Sequence, residues 1–300
     1  MNRLLTYSSK AAVLKPSLLP YGGNGLIATR KIAKDELIFK ELPIVSVLKR
    51  QPQHSHGRHC LECWTPSSSI TGKSSFCESH QSTLLNKSIT RLNTQPGFPE
   101  LRALQQKRLD ESNGKEGAFP ILITNLIGLS LSDLLTTGSM NSSMNLVNAL
   151  VKGKDMPPEG IPAQWKQDYE EIKDVVLTGK GLSDLFSLKW YSDQMTRLNL
   201  NAMQSFYGEK EEERVVGTSL YLFASMLNHS CVPNVKVDWE DSNIIHAIAN
   251  KDIAAGEELT ITYNSEAAKM GTDERWEYFR YNYGFICTCP LCSGASEVKI

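Results

Sequence analysis

The hydrophobic pattern changes period twice along the chain. Residues 26–48 read "LIATRKI", a polar turn at "AKDE", then "LIFKELPIVSVL". Short apolar runs with β-branched residues between turn signals predict strands, with Pro43 at an edge or bulge. From about residue 84 to 207 the apolar positions recur at three- and four-residue steps, which predicts a largely helical region. Its clearest stripe is Leu188, Tyr191, Met195, Leu198, Ala202 and Phe206; Trp165, Tyr169, Ile172 and Val176 form another. Breaks are expected at 110–117, 136–145 and 152–160, where Gly, Pro, Ser and Asn collect. From residue 235 the period returns to two in "VKVDW", "IIHAIA" and "LTITY", separated by "EDSN" and "AAGEE". Strands therefore enclose a helical insert, an α+β arrangement. "IAKDELI" (32–38) and "IAAGEELT" (253–260) echo one another, as two hairpins of one type would. Near the end, Thr272 is the expected N-cap of a short helix.

Composition narrows this picture. The 300 residues are 41% hydrophobic and 22% charged, as in a globular protein of one large or two smaller domains. Basic and acidic residues nearly cancel, 32 against 33, so bulk charge gives no reason to expect direct nucleic-acid binding. The longest apolar runs, 119–129 and 42–48, fall short of a bilayer span and predict core elements, with no membrane partner. Arg3, Lys10 and Lys15 precede the first acidic residue, Asp35, a weak likeness to a mitochondrial presequence. The plainer expectation for residues 1–14 is a disordered lead-in.

Seven cysteines, an odd number, argue against a closed disulfide framework, and no secretory apolar stretch opens the chain. Metal binding is the alternative. The front group is Cys60-x2-Cys63, then Cys77-x2-His80, four ligands in two pairs on polar loops, as a structural zinc site requires. His80 is the least secure of the four, since His54, His56 and His59 lie just upstream. The rear group, Cys287, Cys289 and Cys292, is one thiolate short. Cys231 is the cysteine left over, and adding it completes two four-ligand sites.

Cys231 sits in "GTSLYLFASMLNHSCVPN" (217–234). With "GNGL" (23–26), "QSFYG" (204–208), "EELTITY" (257–263) and "YNYGFICTCPLC" (281–292), this stretch resembles, in order, the motifs of SET-domain protein methyltransferases. The placing of the zinc segment and helical insert resembles the branch with SET and MYND domains. The resemblance covers nearly the whole chain from about residue 15. It implies a split SET domain over 15–270, interrupted by a degenerate MYND-like segment at 55–85 and a helical insert at 86–207. A post-SET helix and zinc tail would occupy 271–300. The finger has ligands for one zinc where the family usually has two, which favours a structural role. No helical-repeat domain is expected after the tail.

The same resemblance implies a curved β-fold in which the "NHSC" segment and the last strand region form a pseudoknot. It implies S-adenosylmethionine as cofactor, held by Gly23, Asn24, Gly25, Asn228, His229, Tyr263 and Phe285, with Phe285 stacked on adenine. Tyr263 would be catalytic, Phe206 and Tyr283 would wall the lysine channel, and two Zn2+ would be bound. For Phe206 the competing reading is core packing in a helical stripe, and for Tyr283 an ordinary half-buried tyrosine. The expected partner is a protein with a target lysine, histone or otherwise, met by a monomer in nucleus or cytoplasm. The rivals are a catalytically silent SET and zinc scaffold and, weaker, a finger that binds peptide or DNA.

Overall fold

The computed structural model describes residues 11–50, 58–64, 66–67, 77–80, 82–112, 115–139, 141–177, 181–207, 215–239 and 242–294. Within it the chain divides into two compact units. One is assembled from Met1–Glu41, Phe223–Trp239 and Ile244–Ile300, the other from Leu42–Leu222 with Glu240–Asn243. Residues 1–10 of the expected lead-in, along with His54, His56 and Gly208, lie outside the described residues.

The three-segment unit opens with β1 (Ala12–Pro16), β2 (Asn24–Ala28) and β3 (Leu37–Glu41). β1 pairs antiparallel with β2 from Ala12↔Ala28 to Pro16↔Asn24. This corrects the expectation of disorder through residue 14, because the backbone groups of "AVLKP" that face β2 are satisfied in a ladder.

The central unit follows. β4 (Val45–Arg50), β5 (Arg58–His59) and β6 (Pro66–Ser67) precede the helices α1 (Leu84–Asn93), α2 (Phe98–Glu111), α3 (Phe119–Thr137), α4 (Asn141–Asn148), α5 (Ala163–Ile172) and α6 (Leu188–Asn201). β7 (Met203–Tyr207) and β8 (Val215–Leu220) then complete an antiparallel sheet in the order β4-β8-β7. α1 starts where the Thr83 hydroxyl accepts from the Asn86 N–H, and Leu85, Ile89 and Leu92 form its buried stripe. Gly128 of α3 meets that stripe: a Cβ there would lie 2.7 Å from a Leu92 methyl. α3 is buried on nearly every side. With the turn before it, the segment Glu116–Thr137 has 22 residues and contains an 18-residue window of mean hydropathy 1.6, long and apolar enough to cross a membrane, contrary to the expectation from the shorter apolar runs. Since 83% of its window is buried within the fold, it is the unit's core helix.

Other expectations change here. The α6 stripe ends at Leu198, because Ala202 turns extended at ψ 133° and Phe206 falls on β7, 48% exposed. Phe206 is therefore not helical core. α4 begins inside the expected break at 136–145 and runs to Asn148, and Val176 lies in a π-helical turn, Lys173–Leu177, beyond α5.

The chain returns to the first unit with β9 (Asn228–His229), β10 (Val235–Asp238), β11 (Ile245–Ala249) and β12 (Glu258–Ile261), then α7 (Thr272–Tyr283) and α8 (Pro290–Ser293). One sheet runs β1-β2-β12-β9 and another β10-β11-β3. The echo between 32–38 and 253–260 is physical: Ile32 and Ile253, both fully buried, bridge each other. Asp35 and Gly256 take left-handed φ of 64° and 85° at matching turn positions. In each turn a glutamate accepts an alanine N–H, Glu36 from Ala33 and Glu257 from Ala254. α7 is capped by Gly271, with Thr272 as its first residue, and ends at Gly284 with φ 78°.

Candidate functional site

The antiparallel ladder of β2 and β12 continues into a parallel pair, β12 with β9, in register Thr260↔Asn228 and Ile261↔His229. Asn234 secures it: its amide accepts from the Thr260 N–H at 2.8 Å and donates to the Glu258 carbonyl at 2.8 Å. The kinked "NHSCVPN" stretch is thus a short strand with a side-chain brace. Asn228 points its amide toward the front hairpin, donating to Asn24 O at 3.0 Å and Glu258 Oε1 at 2.8 Å. The glycines of "YGGNG" divide by role. A Cβ on Gly25 would lie 2.3 Å from Glu258 Oε1 and 2.9 Å from Asn228 Nδ2, whereas Gly23 has left-handed φ and open space around it.

Tyr263 follows β12 by two residues. Its hydroxyl donates to Leu227 O at 2.9 Å and its N–H donates to His229 Nδ1 at 3.1 Å. Burial, and secondarily Tyr283 and Glu258, push its phenol well above the ordinary tyrosine range, so the hydroxyl keeps its proton. His229 is buried and drawn down to about 4, chiefly by burial. The neutral ring accepts at Nδ1, so its proton sits on Nε2, which faces Cys231 Sγ at 3.2 Å. Both ring nitrogens are therefore engaged within the protein, leaving the backbone as His229's route to a ligand. Tyr283, at the end of α7, has its ring 5.0 Å from that of Tyr263 and is pushed up to about 12 by burial.

Phe285 lies between two nearly parallel rings, Tyr21 at 4.3 Å and 10° and Phe279 at 5.4 Å and 13°. Tyr21 also donates to His229 O at 3.1 Å. A planar ligand stacked on Phe285 therefore requires Tyr21 to leave one face.

Among the described residues two ligand clusters are assembled, one in each unit. In the central unit Cys60, Cys63, Cys77 and His80 bring ligand atoms within 4.8 Å of one another. His80 Nδ1 lies 3.1 Å from Cys77 Sγ, while the adjacent His59 is not part of the group. In the other unit Cys231, Cys287, Cys289 and Cys292 do the same, Cys231 Sγ lying 3.9 Å from Cys287 and 3.7 Å from Cys292. Sulfurs on a tetrahedron with bonds near 2.3 Å stand about 3.8 Å apart, so these groups fit Zn2+. Hydrogen bonds from Cys63 hold Cys60 well below the ordinary thiol range, and those from Cys231 do the same for Cys289. Arg275, buried in α7, donates to Cys292 Sγ at 3.2 Å and offsets the charge that four thiolates bring.

Gly23, Asn24, Gly25, Asn228, His229, Tyr263, Tyr283 and Phe285 all belong to the three-segment unit, and Phe206 to the central unit. The sequence reading missed Tyr21, Asn234, Glu258 and Arg275. Their signal was position beside the motifs, Tyr21 before "GGNG" and Glu258 within "EELTITY".

The family model described as SET domain matches residues 23–264, more than half of the chain. The chain belongs to the SET-domain family. Among its relatives is a SET and MYND domain-containing protein of Dictyostelium discoideum, 26% identical over 90% of this chain and 80% of that one. Another is the histone-lysine N-methyltransferase SET5 of Scheffersomyces stipitis, 27% identical over 93% of this chain. The chain spans 63% of that relative's length. Among solved structures, the SET domain of LSMT bound to lysine and AdoHcy is similar at 12% identity and TM-score 0.39, over 95% of this chain and 55% of that one.

Proposed function

We propose that this protein is a zinc-containing, S-adenosylmethionine-dependent protein-lysine N-methyltransferase acting on a histone or another protein in nucleus or cytoplasm. The observation that carries the reading is the parallel β9–β12 pair, which joins Asn228 and His229 to the strand that delivers Tyr263. When bound, the cofactor supplies an activated methyl group on a sulfonium. Gly23 to Gly25 and Asn228 would hold its methionine end, and the Phe285 face vacated by Tyr21 would take the adenine.

The target lysine must reach the site as a neutral amine. With an unperturbed pKa near 10.4, that costs about 4 to 5 kcal/mol at pH 7 in water. Burial of the amine beside Tyr263 and Tyr283, out of bulk water, lowers the cost by disfavouring the ammonium. With the cofactor bound, the neutral lysine nitrogen would take the methyl group and carry the positive charge as an N-methylammonium, leaving the sulfur as a neutral thioether. Tyr263, anchored on Leu227 O and still protonated, offers its oxygen lone pairs to orient the reacting groups. The Cys231 cluster secures the tail from Phe285 onward.

Calorimetric titration of the zinc-loaded protein with S-adenosylmethionine tests this, with Asn228→Ala as control. Binding by the wild type and its loss in the control support the reading. A folded, zinc-replete wild type without binding would instead favour a silent SET and zinc scaffold.

A further inference from the structure

Glu258 is 6% exposed, yet both its carboxylate oxygens are engaged. Oε1 accepts from the Ser17 hydroxyl at 2.7 Å and from Asn228 Nδ2 at 2.8 Å. Oε2 accepts from the same hydroxyl at 2.9 Å and from the Leu18 N–H at 2.7 Å. The carboxylate thus ties together the turn after β1, the strand β12 and the Asn228 side chain. Every donor is neutral, and among the described residues no ion pair joins Glu258. Hydrogen bonds satisfy its lone pairs but leave a buried negative charge without a counter-ion, a costly arrangement unless something else supplies the cation.

Gly22 and Gly25 show how closely the chain wraps it. A Cβ on Gly22 would lie 2.1 Å from Ser17 Oγ and 2.7 Å from Asn228 Nδ2, and one on Gly25 would strike the carboxylate itself. The charge is also felt at Tyr263, whose elevated phenol owes part of its shift to Glu258, after burial and Tyr283.

We infer that Glu258 is a positioning residue of the cofactor pocket whose uncompensated charge favours the sulfonium cofactor over its neutral thioether product. This rests on the S-adenosylmethionine reading. Asn228 and the "GGNG" turn receive their geometry from the carboxylate, and the cation missing from the protein is the ligand's own. Donor and product share the ammonium and carboxylate of their amino-acid end, so the difference between them isolates the sulfonium. Selective loss of attraction after methyl transfer then assists product exchange.

The test is calorimetric binding of S-adenosylmethionine and S-adenosylhomocysteine to the zinc-loaded full chain, in wild type and E258Q. The amide keeps the shape and removes the charge. The ratio of the two affinities should fall roughly fivefold, the size expected for one unit charge acting across several ångströms of intermediate polarity. A merely structural role weakens both ligands equally, and that result, or an unchanged ratio, overturns the inference. If E258Q fails to fold, Ser17→Lys decides the matter by bringing an ammonium beside the carboxylate from the half-buried Ser17 position; its ratio should fall likewise. A wild type that binds neither ligand overturns the cofactor reading, and the inference with it, and is distinguished by the absence of any ratio.

Discussion

Tyr263 and Tyr21 are both tyrosines against Phe285, with opposite expected effects when changed. Tyr263→Phe keeps the ring and deletes the bond to Leu227 O. It should lower turnover about 100-fold or more, the usual cost of losing an oriented polar group at the reacting centre. S-adenosylmethionine affinity should stay within about twofold of wild type if the hydroxyl acts mainly in the transition state. Single-turnover methylation alongside calorimetry checks this, and undiminished turnover removes Tyr263 from the chemistry. Tyr21→Ala frees a face of Phe285. Since an aromatic pair is worth about 0.5 to 1.5 kcal/mol, affinity should rise about 2- to 10-fold; a fall would mean that Tyr21 is itself part of the adenine platform. The sequence reading proposed Tyr263 and Asn228 because contiguous motifs carry them. It did not single out Glu258 and Tyr21, whose contacts with Ser17 and His229 span 241 and 208 residues, since no local pattern encodes such a contact.

Elements were legible where one period held for several turns and lost where tertiary packing decided. The stripe of α6 predicted a helix, but at Ala202 the chain turns extended and Phe206 joins a sheet through pairing with Val216. Local spacing could not distinguish a fifth helical turn from the start of a strand. The break at 136–145 concealed α4 for the opposite reason, since Ser and Asn are weak but tolerated helix residues. The β8 strand illustrates what a glycine in a strand encodes. At Gly217 a Cβ would approach the buried Trp64 ring to 2.3 Å and the Val47 carbonyl to 2.4 Å. Gly217→Ala should therefore destabilise the central unit by about 1 to 3 kcal/mol, the range for overpacking, measured by denaturant unfolding. An unchanged midpoint would show that the indole yields without cost.

At the scale of the molecule, the two ligand clusters belong to different units and should be separable. Cys287→Ser should weaken S-adenosylmethionine binding at least tenfold by loosening the chain next to Phe285. Cys60→Ser should lower the thermal midpoint and leave affinity within about twofold, provided the protein remains folded at the temperature of titration. Zinc content by elemental analysis and calorimetry on both variants checks the pair, and equal loss of affinity would contradict their independence. The cysteine spacing disclosed these clusters because metal ligands are few and chemically distinct. The sequence reading expected a split strand domain with inserts at 55–85 and 86–207; the compact unit interleaved with the three separated segments runs Leu42–Leu222 and takes in Glu240–Asn243. That interleaving has a consequence for biosynthesis. Ser17 must wait for Glu258, 241 residues later, which at ribosomal speeds of about 5 to 20 residues per second is roughly 10 to 50 seconds. Throughout that interval the hairpin leaves the ribosome with the backbone edge of β2 that later pairs with β12 uncovered, while the intervening unit can already fold. The nascent chain therefore offers chaperones a defined target, and the proposed cofactor pocket is among the last parts of the protein to exist.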